Sequence, residues 1–199
     1  MKTRTPKKWQ NHEPFIAKRL FTERLAHDVQ EFNTPSSLPE LNLEKGEGLF
    51  LYGEVGTGKT VLAAQFVLDL YKKWWMVADP KLQWDINFVS APRIFREIKT
   101  TFEKEYQISA TERLTEDKVI SKYEKADFLI LDDLGMQGKT TDWLIDILFM
   151  IIDYRYEHLK PTIITSNKSL DQLAEQFGDT RIPSRIDRMC KVMRKQPYT

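Results

Sequence analysis

Gly53-Glu54-Val55-Gly56-Thr57-Gly58-Lys59-Thr60 follows the strand-like run Gly48-Leu49-Phe50-Leu51-Tyr52 and precedes a helical stretch over residues 61–71. Glycine reaches positive φ at no steric cost, so a loop of this composition curls until successive N–H groups point inward at phosphate oxygens. In that arrangement Lys59 reaches the β and γ phosphates of a nucleoside triphosphate, and the Thr60 hydroxyl is placed to ligate Mg²⁺. The positive end of the following helix faces the same phosphates. Eight residues of this kind also occur in ordinary glycine-rich turns; the strand before and the helix after set this loop apart. The expected nucleotide contacts are Gly53, Glu54, Val55, Gly56, Thr57, Gly58, Lys59, Thr60 and Val61.

Outward from the loop, strand-like runs at 49–52, 86–90, 128–131 and 162–165 alternate with helical ones at 60–73, 92–104 and 141–157. Strands alternating with helices of that length predict an α/β fold with a parallel sheet covered on both faces. The runs at 128–131 and 162–165 are nearly all apolar or β-branched, as strands buried on both sides must be. Upstream, Phe21, Leu25, Val29 and Phe32 recur at three- and four-residue steps and share one helical face within 14–32. The linker-like stretch 33–39 follows, and residues 1–12 form a basic, aperiodic arm with Lys2, Arg4, Lys7 and Lys8. The division is therefore 1–40 for arm and amphipathic helix, 41–199 for the core. The helix has two readings, docking in a partner's groove or lying on its own core, and the second is preferred.

A chain of 199 residues with 41% hydrophobic content supports one substantial core. Thirty basic against 29 acidic side chains leave almost no net field, so any DNA contact must come from a local patch. With Cys190 as the one cysteine, no intramolecular disulfide or cysteine-clustered zinc site is available; core filler is its simplest role. No apolar run approaches the roughly 20 residues of a membrane span, and no secretion signal is legible, so a cytoplasmic protein without membrane association is expected. His12, His27 and His158 show no metal-ligand spacing.

The chemistry extends beyond the loop. Asp132 and Asp133 follow the third strand, where a carboxylate beside such a loop serves Mg²⁺ (Asp132) or the attacking water (Asp133). The fourth strand delivers Asn167 to the carboxyl edge of the sheet, where an amide suits orienting that water; a turn-forming Asn is the plain alternative. Arg181 and Arg185 flank a proline-fixed helix start, either as phosphate-seeking guanidinium groups or as surface ion pairs. Arg155 stands open between a neighbour's nucleotide and a structural salt bridge. Residues 93–125 are the candidate single-stranded DNA surface, with Arg93, Arg96, Lys99 and Lys104 beside Phe95 and Phe102. Interleaved Glu97, Glu103 and Glu105 favour a solvated face for any one of them. Trp74, Trp75 and Trp84 sit in an expected extended connection, where covering the sheet edge outweighs a stacking platform.

Taken together, 53–60, Phe88-Val89-Ser90-Ala91 with 94–99, Leu129-Ile130-Leu131-Asp132-Asp133-Leu134-Gly135, Tyr154-Arg155-Tyr156, Thr165-Ser166-Asn167 and Ser184-Arg185-Ile186 resemble the DnaC/IstB-like AAA+ ATPases. That group includes replicative-helicase loaders and transposition helpers. The resemblance covers about 45–194 and implies an AAA+ P-loop core with a five-stranded parallel sheet, ATP and Mg²⁺ as ligands, and slow hydrolysis stimulated by DNA or a partner. It assigns Lys59 and Thr60 to Walker A, Asp132 and Asp133 to Walker B, Asn167 to sensor 1, and Arg185 to an arginine finger acting on an adjacent subunit. An ATP-dependent homo-oligomer, a replicative DNA helicase and single-stranded DNA are the implied partners. Alternatives are an IstB-like transposition helper and a nucleotide-gated binding module with little turnover. Three departures qualify the match. Asp133 stands where many members carry the longer Glu, the segment at Tyr198-Thr199 lacks the Tyr-Arg pair that serves as sensor 2, with Arg194 the candidate substitute, no large C-terminal lid is expected, and only a short helical extension is expected before the core.

Overall fold

The computed structural model describes residues 17, 18, 20–31, 39–77, 84–103, 115–136 and 141–196. In chain order these form α1 (Glu23–Glu31), β1 (Gly48–Tyr52), α2 (Lys59–Val77), β2 (Ile86–Ser90), α3 (Ala91–Glu103), α4 (Glu116–Lys125), β3 (Phe128–Leu134), α5 (Asp142–Glu157), β4 (Thr162–Ser166), α6 (Leu170–Phe177), α7 (Arg181–Met189) and β5 (Cys190–Arg194). The strands make one all-parallel, five-stranded sheet in the order β2-β3-β4-β1-β5. The first strand thus lies beside the fourth, and the loop that leaves β1 opens at the carboxyl edge next to the ends of β3 and β4. Open α/β sheets bind ligands at such an edge.

Alternation along the central strands divides the core. Leu129, Leu131, Ile164 and Phe50 face α3 to α7, while Phe128, Ile130, Ile163, Leu49 and Leu51 face α1 and α2. Apolar residues on both faces are what two helical layers require. Local signals fix the helix ends: the Thr141 and Thr115 side chains accept from Leu144 and Lys118 N–H, and Ser169 with Gln172 forms a reciprocal capping box.

Several boundaries differ from the sequence expectation. The N-terminal helix breaks at Phe21-Thr22 and restarts as α1, where the Thr22 hydroxyl accepts the Leu25 N–H at 3.3 Å. Its apolar side lies on the protein's own core: Phe21, Ala26 and Val29 are buried, and Phe21 meets Phe88 edge-on at 5.2 Å. Phe32, residues 33–38 of the linker and the basic arm lie outside the described residues. No Gly or Pro interrupts 59–79, so α2 runs to Val77 and Trp74 and Trp75 are helical instead of extended; their side chains lie outside the described residues. Trp84 is partly buried and packs against the α2 side of the core. β3 continues through Asp132 and Asp133 to Leu134. The fifth strand, Cys190-Lys191-Val192-Met193-Arg194, carries no apolar run because it pairs only with β1 and exposes its other side. Cys190 is buried as core filler. Among the described residues no helix is long and apolar enough to cross a membrane.

Candidate functional site

The loop between β1 and α2 is held open by backbone geometry. Gly53 (φ 151°), Gly56 (φ 80°) and Gly58 (φ 80°) adopt conformations that L side chains rarely reach. At Gly53 the requirement is double, since a Cβ would fall 2.3 Å from the Lys195 carbonyl oxygen. The Gly53 N–H donates to Ser166 O (3.2 Å), and Lys195 N–H donates to Tyr52 O (2.7 Å), tying the loop's start to β4 on one side and to the end of β5 on the other. Thr57 Oγ1 donates to Glu54 O at 2.9 Å, and Val55 stands out at the tip, 79% exposed.

Lys59 opens α2 with only 6% of its surface exposed. Its Nζ donates to Gly53 O (2.9 Å) and Glu54 O (2.7 Å), so the ammonium sits inside the curl of the loop. Burial pulls its pKa down, opposed by the charges of Asp133 and Asp132. Thr60, one residue on, donates through Oγ1 to Asp132 Oδ1 at 2.9 Å. Asp132 is nearly buried and accepts a second hydrogen bond on the same oxygen, from Thr165 Oγ1 at 2.6 Å. Its pKa is raised by burial; the Thr165 hydrogen bond works against that rise and Asp133 adds to it. A hydroxyl and a carboxylate this close at the mouth of a phosphate-type loop are the hard oxygen donors Mg²⁺ takes, one or two from protein and the rest from phosphate and water.

Asp133 has φ 58°, one of two non-glycine residues with positive φ among those described. It lies where the β3–β4 register shifts between Leu131 and Leu134, and its N–H donates to Thr165 Oγ1 at 3.0 Å. A bulge with a left-handed residue re-aims the side chain, a strain typical of working sites. Thr60, Asp132 and Asp133 line a cleft of about 640 Å³ that continues past Ser90 to Arg93 and Tyr123, with Leu20 and Phe21 on its far wall.

The remaining expected residues sit apart from this set. Asn167 follows β4, and its Nδ2 donates to the Met136 thioether, not to either aspartate. Ser166 Oγ donates to Leu134 O at 2.7 Å, which locks the ends of β3 and β4 together beneath it. On α7, Arg185 Nε donates to Asp153 of α5, with the guanidinium 5.1 Å from the Tyr156 ring centre. None of those three lines the cleft at Thr60. Arg181 is occupied by Asp179 (2.7 Å) and Asp146 (3.3 Å). Of the DNA candidates, Arg93, Arg96 and Lys99 are exposed on α3, whereas Phe95 is buried and turned away from any stacking role. Lys104 and the Phe102 side chain lie outside the described residues. Arg194 is exposed at the end of β5.

Thr165 belongs to the Thr165-Ser166-Asn167 run that carries the resemblance, yet sequence alone assigns it no role of its own. A β-branched residue in an apolar strand reads as a strand former, and only its place at the strand's carboxyl end hinted at more. Arg155 is decided in the opposite direction. It is fully buried, and its guanidinium donates to the carbonyls of Tyr123, Glu124, Ala126 and Pro161 and to Thr162 Oγ1 at 2.8–3.1 Å.

The family model for IstB-like ATP binding proteins matches residues 29–195. The replicative helicase loader DnaI of Bacillus subtilis is 28% identical over 134 residues, covering 67% of this chain and 37% of that protein. A protein of Sinorhizobium fredii described as an insertion sequence ATP-binding protein is 29% identical over 152 residues, covering 74% and 43%. The crystal structure of the DnaC helicase loader superposes with a TM-score of 0.58 at 28% identity, covering 87% of this chain and 89% of that one. The chain thus spans about two fifths of the length of the curated relatives it matches.

Proposed function

Since this chain belongs to the IstB-like ATP-binding protein family, we propose that it binds and hydrolyses ATP in the pocket at Lys59, Thr60 and Asp132 and works as a replicative-helicase loader. One observation carries the reading. Lys59 sits inside a glycine-framed curl while the next residue, Thr60, is hydrogen-bonded to a nearly buried carboxylate 72 positions away. A merely structural turn has no use for that combination. Residues 41–199 form the ATPase core in this account, and 1–40 are the basic arm and helical extension.

The backbone N–H groups of Gly53 to Val61 surround the phosphates, and Lys59 exchanges its loop carbonyls for β and γ oxygens. Thr60 and Asp132 are the residues that would hold Mg²⁺, and the ion would supply positive charge to offset that of the phosphate oxygens. Water attacks the γ-phosphorus, the bond to the β–γ bridging oxygen breaks, and Asp133 at the cleft mouth takes the proton from the water as Asn167 orients it. Aspartate reaches one methylene less far than glutamate, so turnover is slow until a partner or DNA tightens the site. Arg185 is bound to Asp153 away from its own pocket, and that favours action on the nucleotide of an adjacent subunit in an ATP-dependent homo-oligomer. Loss of the γ-phosphate then weakens the joint between subunits.

The partners proposed are a hexameric replicative helicase and, through Arg93, Arg96 and Lys99, single-stranded DNA, all in the cytoplasm. The insertion-sequence relative favours a second reading in which the same ATPase positions a transposase. Phosphate release with and without single-stranded DNA, combined with affinity capture against a helicase and a transposase, separates these. Turnover and helicase capture support the loader; capture of a transposase alone moves the chain to the second reading. ATP retention with no turnover under any oligomerising condition leaves a nucleotide-gated binding module. Mixing Arg185→Ala with Lys59→Ala subunits tests the shared site: partial recovery of activity is expected, and no recovery from variants that co-assemble argues for self-contained pockets.

A further inference from the structure

We infer that Thr165 is a positioning residue for this site, whose hydroxyl sets the Asp132 carboxylate and the left-handed turn at Asp133 as one unit. The inference rests on the magnesium–nucleotide reading above and adds a residue from β4 to it. Thr165 is fully buried, so its hydroxyl has no water to fall back on. Its Oγ1 donates to Asp132 Oδ1 at 2.6 Å and accepts the Asp133 N–H at 3.0 Å. A hydroxyl has one proton and two lone pairs, so both bonds form at once.

The second bond answers a specific need. The β3–β4 pairing slips between Leu131 and Leu134, which takes the Asp133 N–H out of the regular ladder at the residue whose φ is 58°. An unpaired buried N–H and a left-handed aspartate are each unfavourable, and such a conformation persists only where its surroundings over-determine it. The first bond, with the one from Thr60, falls on Oδ1 of Asp132, and the second carboxylate oxygen keeps its lone pairs for a cation. Thr165 thereby aims the metal-facing group and the water-facing group from one atom. If it served only as a β-branched strand former, valine would serve as well.

The test uses the full chain and a fluorescent ATP analogue, titrated with Mg²⁺ and repeated in excess chelator. Thr165→Val is expected to raise the Mg²⁺ concentration for half-maximal binding by about tenfold or more, the usual effect of losing a partner behind a metal ligand. Chelator-only binding should not change, and Thr165→Ser should recover the wild-type midpoint. Phosphate release should fall in step with the midpoint shift. Thr165→Ala and Thr165→Ser lose the same methyl group and differ by the hydroxyl alone, so this pair decides the matter even if the valine variant fails to fold. Equal Mg²⁺ midpoints and turnover for Ala and Ser, or for Val and wild type, would overturn the inference and leave the nucleotide site intact. A wild-type chain with no Mg²⁺-dependent binding would overturn both.

Discussion

The two ends of β4 carry the same device for opposite purposes. At the amino end, Thr162 meets the guanidinium of Arg155; at the carboxyl end, Thr165 meets the carboxylate of Asp132. Both are buried threonine hydroxyls bound to a buried charge. Each guanidinium nitrogen of Arg155 donates within its own core, to Thr162 Oγ1 and to four main-chain carbonyls that close the turns after α4 and α5. Asp132 is bonded on one oxygen only and opens with Thr60 and Asp133 onto a cleft. Burial and charge are common to the two ends; whether the hydrogen-bonding capacity is exhausted internally is what separates a fastening from a site.

The largest expected effect comes from the closed end. Arg155→Ala leaves several carbonyls without a donor and opens a cavity, which should cost about 3 kcal/mol or more and lower the melting temperature by on the order of 10 °C. Once folded at low temperature, the variant should still retain ATP with Mg²⁺; a selective loss of nucleotide binding at unchanged stability would erase the contrast. Lys59→Ala should do the reverse, weakening ATP binding about 10- to 100-fold in an equilibrium assay with a much smaller shift in melting than Arg155→Ala.

Asp132→Asn sharpens the comparison through pH. Burial raises the Asp132 pKa, so the folded state favours the protonated form. The stability this group contributes is complete below the ordinary aspartate range and is lost as pH rises through its raised value. At neutral pH the nucleotide-free asparagine variant should therefore melt above wild type, and the gap should close on acidification through the carboxylate range. A variant that melts lower at neutral pH would mean that Asp132, like Arg155, is a fastening. Asp133→Gly gives the smallest change in stability, within about 1 kcal/mol, because glycine accepts the left-handed turn without strain while adding chain entropy. Phosphate release should nevertheless disappear.

How much of this was legible in the sequence follows from the same contrast. The glycine loop, both aspartates and the central apolar strands are local patterns, and each was readable from residue type and spacing. The bulge at Asp133 was not, because register slips are set by cross-strand pairing and leave no composition of their own. Thr165 and Thr162 look alike in sequence, and only contacts with residues 33 positions and 7 positions away give them different roles. Arg155 could not be assigned because four of its five partners are backbone carbonyls, which every residue has. The resemblance implied a fifth strand, but the residues did not locate β5 for a related reason: a strand paired on one side needs no apolar run.

The central claim is that Lys59, Thr60 and Asp132 build one magnesium–triphosphate pocket. Equilibrium binding of ATP with Mg²⁺ and in chelator, on wild type and Asp132→Asn, tests it most directly. Mg²⁺ should tighten ATP binding to wild type and have little effect on the variant. Equal Mg²⁺ enhancement in both proteins, or no ATP retained by wild type with Mg²⁺ present, would contradict it.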